Sequence, residues 1–201
     1  MKKRIPVIIG IIITVALAVL YGFTKKTHKI YDNNVNTATY QSVGILQEQE
    51  VIQQTFVCAE EKLDGFMIKC DVSGNYGIAT VSVKVRDPET GDILAEGQET
   101  GENIRARKLH YYKIEPLTGY KGKTLLLEVS EENTSDGNGI LFSIQPNTQT
   151  EYPVIVAGNS PGGVLVMKTV TERFDVETFA IMLFCEWFIW GFLWFLYRLF
   201  K

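Results

Sequence analysis

Two apolar runs bracket a stretch in which hydrophobic and polar residues alternate. The first, residues 5–23, has no charged side chain, and the second, residues 178–200, carries only Glu186 and Arg198. At about 1.5 Å per residue the shorter run makes a helix of about 28 Å, close to the ~30 Å of hydrocarbon in a bilayer. Each end therefore predicts one membrane span. Ala16-Leu17-Ala18 is similar to the small-residue site of a cleavable signal peptide, but the apolar run continues through Val19, Leu20 and Tyr21 with no polar segment before that site, which favours a retained anchor. A helix lying flat on a membrane needs a strongly polar face, whereas apolar residues surround the second run.

Between the runs the period drops to two, the mark of strands with one buried face. Ile52, Phe56 and Cys58 share one side of a segment; Phe66, Ile68, Cys70 and Val72 share a side of the next; Ala79, Val81, Val83 and Val85 share a side of a third. Asp87-Pro88-Glu89-Thr90-Gly91-Asp92 places Pro and Gly at turn positions ahead of Ile93-Leu94-Ala95, which predicts a hairpin. Further strands are predicted over residues 109–114, 124–129, 140–144, 153–157 and 164–170. The expected fold is mainly β: a jelly-roll-type β-sandwich ectodomain over residues 40–170, flanked by two single transmembrane α-helices. Residues 1–23 read as a cytoplasmic tail and first span, 24–39 as a stalk rich in Asn, Thr and Lys, 171–177 as a linker, and 178–201 as a second span and cytoplasmic tail.

Charge narrows the choice of partners. Residues 24–176 hold fifteen Lys and Arg against twenty-one Asp and Glu, a net of −6. An acidic domain with no basic stripe does not suit nucleic acid, whose phosphates demand clustered cations. Two spans put both termini on one side of a bilayer. Lys2, Lys3, Arg4, Arg198 and Lys201 lie on short tails, while Lys25, Lys26, Lys29, Lys168 and Arg173 flank the spans on the loop side. Charges on short tails count fully, and those of a long translocated domain count little. The expected placement is the cell membrane, with both termini cytoplasmic and the central domain extracytoplasmic.

The common signatures of enzyme chemistry are not met. His28 and His110 stand in no spacing with Cys, Asp or Glu that would hold zinc, and no nucleophile elbow, phosphate loop or dinucleotide fingerprint occurs. No metal, cofactor or catalytic residue is expected. Glu60, Glu61, Glu131 and Glu132 read as solvated loop carboxylates rather than a glycosidase pair. Cys58 and Cys70 share an inward face, where they form either a disulfide or two buried thiols, and Cys185 in the second span can pair with neither.

Several runs together resemble a known group. Val51-Ile52-Gln53-Gln54-Thr55-Phe56, Leu63-Asp64-Gly65-Phe66, Val81-Ser82-Val83-Lys84-Val85-Arg86-Asp87 before a Thr-Gly turn, and Gly122-Lys123-Thr124-Leu125-Leu126-Leu127-Glu128-Val129 look like a recurrent extracytoplasmic β-sandwich of bacterial, mainly Gram-positive, membrane proteins. In that group a sandwich similar to carbohydrate-binding modules lies between the first and second membrane helices of proteins linked to surface polysaccharide and glycosyl transfer. The resemblance covers roughly residues 41–170 and the flanking helix order; this sequence holds nothing like the further spans or catalytic part of such proteins. It implies an accessory protein with a cell-envelope glycan as ligand. Sugar-binding sandwiches stack pyranose faces on aromatic rings, and here Tyr76, Tyr111, Tyr112 and Tyr120, with Arg105 and Arg107, lie in or beside predicted turns.

The second span adds one unusual residue. An ionised carboxylate in hydrocarbon costs several kcal/mol, so Glu186 is expected either to be protonated and tolerated or to face a partner. At about 100° per residue Leu183, Glu186, Trp190, Trp194 and Tyr197 fall within about 80° of one another. That face predicts a contact inside the bilayer, within a homo-oligomer or with a larger membrane protein. Two functions remain: a non-enzymatic accessory whose sandwich binds glycan or a glycan-assembly partner, and a structural subunit making protein contacts only.

Overall fold

The computed structural model describes residues 5–135, 137–146 and 150–201; Lys2, Lys3 and Arg4, on which the topology reading leans, lie outside the described residues. In chain order the elements are α1 (Ile5–Gly22), β1 (Phe23–Lys29), β2 (Gln41–Ser42), β3 (Val51–Val57), β4 (Lys62–Ser73), β5 (Thr80–Arg86), β6 (Ile93–Thr100), β7 (Lys108–Thr118), β8 (Thr124–Glu132), β9 (Gly139–Gln145), β10 (Ile155–Val156), β11 (Val164–Leu165), β12 (Met167–Phe174) and α2 (Val176–Leu199). They divide into two units. Thr27–Thr171 forms one, and the chain ends, up to Lys26 and from Glu172, form the other.

The larger unit is built from two sheets. One has the order β10-β3-β8-β5-β6; in the other, β1 lies beside β12, β12 beside β4, β4 beside β9 and β9 beside β11, with β2 on β9 and β7 on β4. β4 is the organiser of the second sheet, because it pairs with β7 along most of its length while its other edge is shared, residues 65–68 pairing with β12 and 70–73 with β9. The register slips between Leu63 and Gly65. A Cβ at Gly65 would collide with the Tyr112 carbonyl oxygen, so only glycine lets the β7 backbone approach there. From β3 to β10 the chain changes sheet at every step except the β5–β6 hairpin.

The period-two runs supply the core. Val81, Val83 and Val85 of β5, Leu125, Leu127 and Val129 of β8, and Phe66, Ile68 and Cys70 of β4 are all buried. Phe56 and Phe66 meet edge to face at 5.5 Å, which joins the two sheets through one core. Each such side chain contributes roughly 1.5–3 kcal/mol on burial. The buried Gln54 amide is fully matched: its Nε2 donates to the Tyr152 and Thr55 carbonyls at 2.8 and 2.9 Å, and its Oε1 accepts the Leu165 N–H at 2.9 Å.

Three local readings change. Residues 24–39 do not form a stalk throughout, since Phe23–Lys29 is a strand beside β12 and the chain just beyond is tied down. There the Ile30 N–H donates to the Met167 carbonyl at 3.1 Å, and the buried Gln145 amide exchanges bonds of 2.9 and 2.7 Å with the Asp32 backbone. The stretch expected over 164–170 is two strands, and β12 runs on to Phe174 through most of the expected linker. Glu131 is no loop residue. It extends the inward row Leu125-Leu127-Val129 and is buried. Cys58 and Cys70 are both free buried thiols.

In the smaller unit, Pro6 occupies the first turn of α1, where its missing N–H leaves no bond unmade. Asp175 caps α2, its Oδ1 accepting the N–H groups of Glu177 and Thr178 at 3.0 and 3.4 Å. With 24 residues and no buried side chain, α2 is the one helix among the described residues long and apolar enough to cross a membrane.

Candidate functional site

The six residues expected to face a sugar do not make one platform. Tyr111 and Tyr112 are neighbours on β7 and point to opposite faces of the strand. Tyr112 is 1% exposed, its hydroxyl 3.9 Å from Cys70 Sγ and its ring edge-on to His110 at 5.0 Å, so no face is left for a ligand to stack on. The Tyr111 hydroxyl donates to the Asp64 carbonyl at 3.2 Å. Tyr76 and Tyr120 are half-buried against the core, and the Lys123 ammonium sits 4.7 Å from the Tyr120 ring. Arg105 is exposed. Arg107 is exposed with positive φ, its Nε 3.3 Å from Asp71 Oδ2.

Two acids that do more than face water emerge instead. On β8, Glu131 Oε2 accepts the Ile140 N–H at 3.0 Å while Oε1 is buried with no hydrogen-bond partner among the described residues. Burial pushes this carboxyl up to about 7, against the opposing pull of backbone donors at Ile140 and Leu46. Gly139 leaves the room, since a Cβ there would meet Ile45 Cγ2 at 2.6 Å and Glu131 Oε2 at 3.0 Å. The nearby Cys70 thiol is pushed up to about 11, chiefly by burial, which makes it a poor nucleophile. The sequence carried a signal for Glu131, the unbroken alternation from Leu125, and its polar identity hid it.

The second acid is Glu186. In the unit of chain ends, Thr14, Ala18 and Gly22 of α1 are buried and Gly10 half-buried, a row of small residues four apart. Such a row lets a neighbouring helix approach closely. On α2, Thr178, Phe179, Met182, Leu183, Glu186 and Leu196 are the less exposed positions, and the Trp190 ring would lie 3.7 Å from a Cβ at Gly10. The Trp190 indole N–H donates to Thr14 Oγ1 at 3.3 Å, and the Thr14 hydroxyl donates to the Gly10 carbonyl at 2.9 Å. Beside them opens a groove of about 350 Å³ walled by Ile9, Ile13, Leu17 and Ile189. Glu186 lines this groove, and its Oε2 is buried with no hydrogen-bond partner among the described residues.

The sequence matches no protein-family model and no curated protein. Of the helix face expected to meet a partner, Glu186 and Trp190 are turned to α1 of the same chain, and Trp194 is exposed with the Arg198 guanidinium 5.7 Å from its ring. Gly10 and Thr14 were not singled out from sequence, although their small-xxx-small spacing was visible.

Proposed function

We propose that this chain is a two-span membrane protein, both termini cytoplasmic and a jelly-roll-type β-sandwich outside, that serves as a non-enzymatic subunit of a membrane complex. The observation that carries the reading is the enclosed Glu186 oxygen, without a partner among the described residues, on a helix whose other charged residues, Glu177 and Arg198, lie in its first and last turns. Support for the spans comes from the small-residue row of α1, suited to packing in lipid, and from the far end of α2. There Arg198 lies over Trp194 and Lys201 over Tyr197, the aromatic and cationic pairing favoured at a membrane interface. Protein contact is preferred to glycan binding because Tyr112 lies in the core and Tyr111 is turned away from it. Two measurements test the proposal. In a variant otherwise free of cysteine, a thiol at Glu89 should react with an impermeant reagent on intact cells, and one at Lys2 only after lysis. Glu186→Leu should lower the detergent-solubilised size or crosslinking of the native assembly while Phe192→Leu does not; identical behaviour of all three proteins would refute a contact role for the carboxylate.

A further inference from the structure

We infer that the groove beside Glu186 receives a transmembrane helix of a different protein, one that carries a lysine or arginine at mid-membrane depth to pair with the Glu186 carboxylate. This deepens the proposed function and rests on its reading that both helices lie in a bilayer.

Depth comes first. Glu186 is the eleventh residue of α2, about 15 Å along a helix of about 36 Å. A carboxyl group that far from either end cannot reach water by stretching, and stays ionised in hydrocarbon only where it finds a donor. Among the described residues that line the groove, the donors are spent. Threonine has one hydroxyl proton and indole one N–H; that of Thr14 goes to Gly10, and that of Trp190 goes to Thr14. The donors of the two other polar side chains that line the groove are thus in use, and Glu186 Oε2 has no partner among the described residues.

A second copy cannot supply the missing charge. Residues 5–22 contain no Lys, Arg or His, and the only cation of α2 is Arg198, about 18 Å further along and already against Trp194. Copies sharing one topology would bring a second carboxylate to the same level. Charge complementarity therefore selects a cation from another chain. The aliphatic stem of a lysine or arginine suits walls of Ile9, Ile13, Leu17 and Ile189, with its charged end directed to the carboxylate.

The test uses the full chain, donor-labelled and reconstituted in phosphatidylcholine vesicles, with acceptor-labelled leucine-based helices of about 22 residues. One helix carries a single central lysine, one is leucine throughout, and the third probe is an acceptor-labelled copy of the chain itself. Energy transfer should show the lysine helix binding about tenfold better than the leucine helix. The preference should vanish in Glu186→Leu, weaken in Glu186→Gln and survive in Phe192→Leu. No lysine preference, or one that persists in Glu186→Leu, overturns the inference while leaving the membrane reading intact. Self-transfer that exceeds the lysine helix and depends on Glu186 overturns it in favour of a homo-oligomer. A chain that fails to float with the vesicles overturns both readings.

Discussion

The two units solve the problem of burial in opposite ways. Between the sheets, aromatic and aliphatic rows from β3, β4, β5, β8 and β9 close on one another, and buried amides such as Gln54 and Gln145 find all the partners they need within the chain. In the unit of chain ends α2 buries no residue at all, large rings such as Phe184, Trp187 and Phe188 are exposed, and one carboxylate oxygen is enclosed without a donor. The first unit carries its own solvent-excluding interior. On the proposed membrane reading, the second is completed by surroundings that supply an apolar phase and a donor. The sheets also hold unmet polar atoms, Glu131 Oε1 and Ser82 Oγ among them, but these lie in an interior that the chain itself builds.

The contrast is sharpest for one residue type placed in both units. Phe66→Ala should lower the unfolding free energy of the fragment Thr27–Thr171 by about 3–5 kcal/mol, measured by denaturant titration with circular dichroism, because the lost ring leaves a cavity in contact with Phe56. Phe192→Ala should leave the helix content of the full chain in vesicles unchanged, since that ring is 51% exposed. Comparable losses at the two sites would erase the distinction.

Next in size is the acid in the core. Glu131 titrates near 7 when folded, against an ordinary value of 4.5. Below about 4.5 both states hold the proton; between about 4.5 and 7 the unfolded chain releases it and the folded one keeps it, so stability falls as pH rises and levels off above. The shift corresponds to about 3 kcal/mol. Glu131→Gln should remove that fall: the variant is expected to be more stable than wild type near pH 8, by about 1–3 kcal/mol, and to show no gain near pH 4.5. A difference between the two proteins that stays flat with pH would mean that the carboxyl is solvated after all.

Much of the larger unit was legible because its rows are apolar and period two shows which side faces inward. Where the rule failed, the signal was absent or masked. β1 reads Phe-Thr-Lys-Lys-Thr-His-Lys, which has no apolar face, and its partner β12 begins more than a hundred residues later. Tyr112, a sugar-facing candidate in the predicted strand over 109–114, is in phase with Ile114, and both are buried. A tyrosine fits a core or a surface, and only the strand's far end decides. Glu131 was hidden by its charge, which says "outside" while its position says "inside". In the helices the reverse held. Glu186 stood out at once as the one acid in its run, but its neighbours across the helix pair, Gly10 and Thr14, are small residues whose importance lies in what they leave empty.

The smallest expected effect concerns what holds the two helices together. If close approach over the small-residue row matters most, the hydrogen bond from Trp190 to Thr14 should contribute little, since such bonds in membranes average about 0.6 kcal/mol. Trp190→Phe keeps an aromatic ring over Gly10 and removes only the N–H; Thr14 still satisfies its own proton on the Gly10 carbonyl. Gly10→Leu keeps the N–H and fills the space that the ring occupies. Cysteines replacing Ile13 and Ile189, which line the same groove, can report helix approach by their rate of disulfide capture in vesicles, with Cys185→Ser as background. Trp190→Phe should slow capture about twofold and Gly10→Leu about tenfold or more. If Trp190→Phe abolished capture and Gly10→Leu left it unchanged, the helices would be held by the polar bond rather than by shape, and the two units would differ less than their packing suggests.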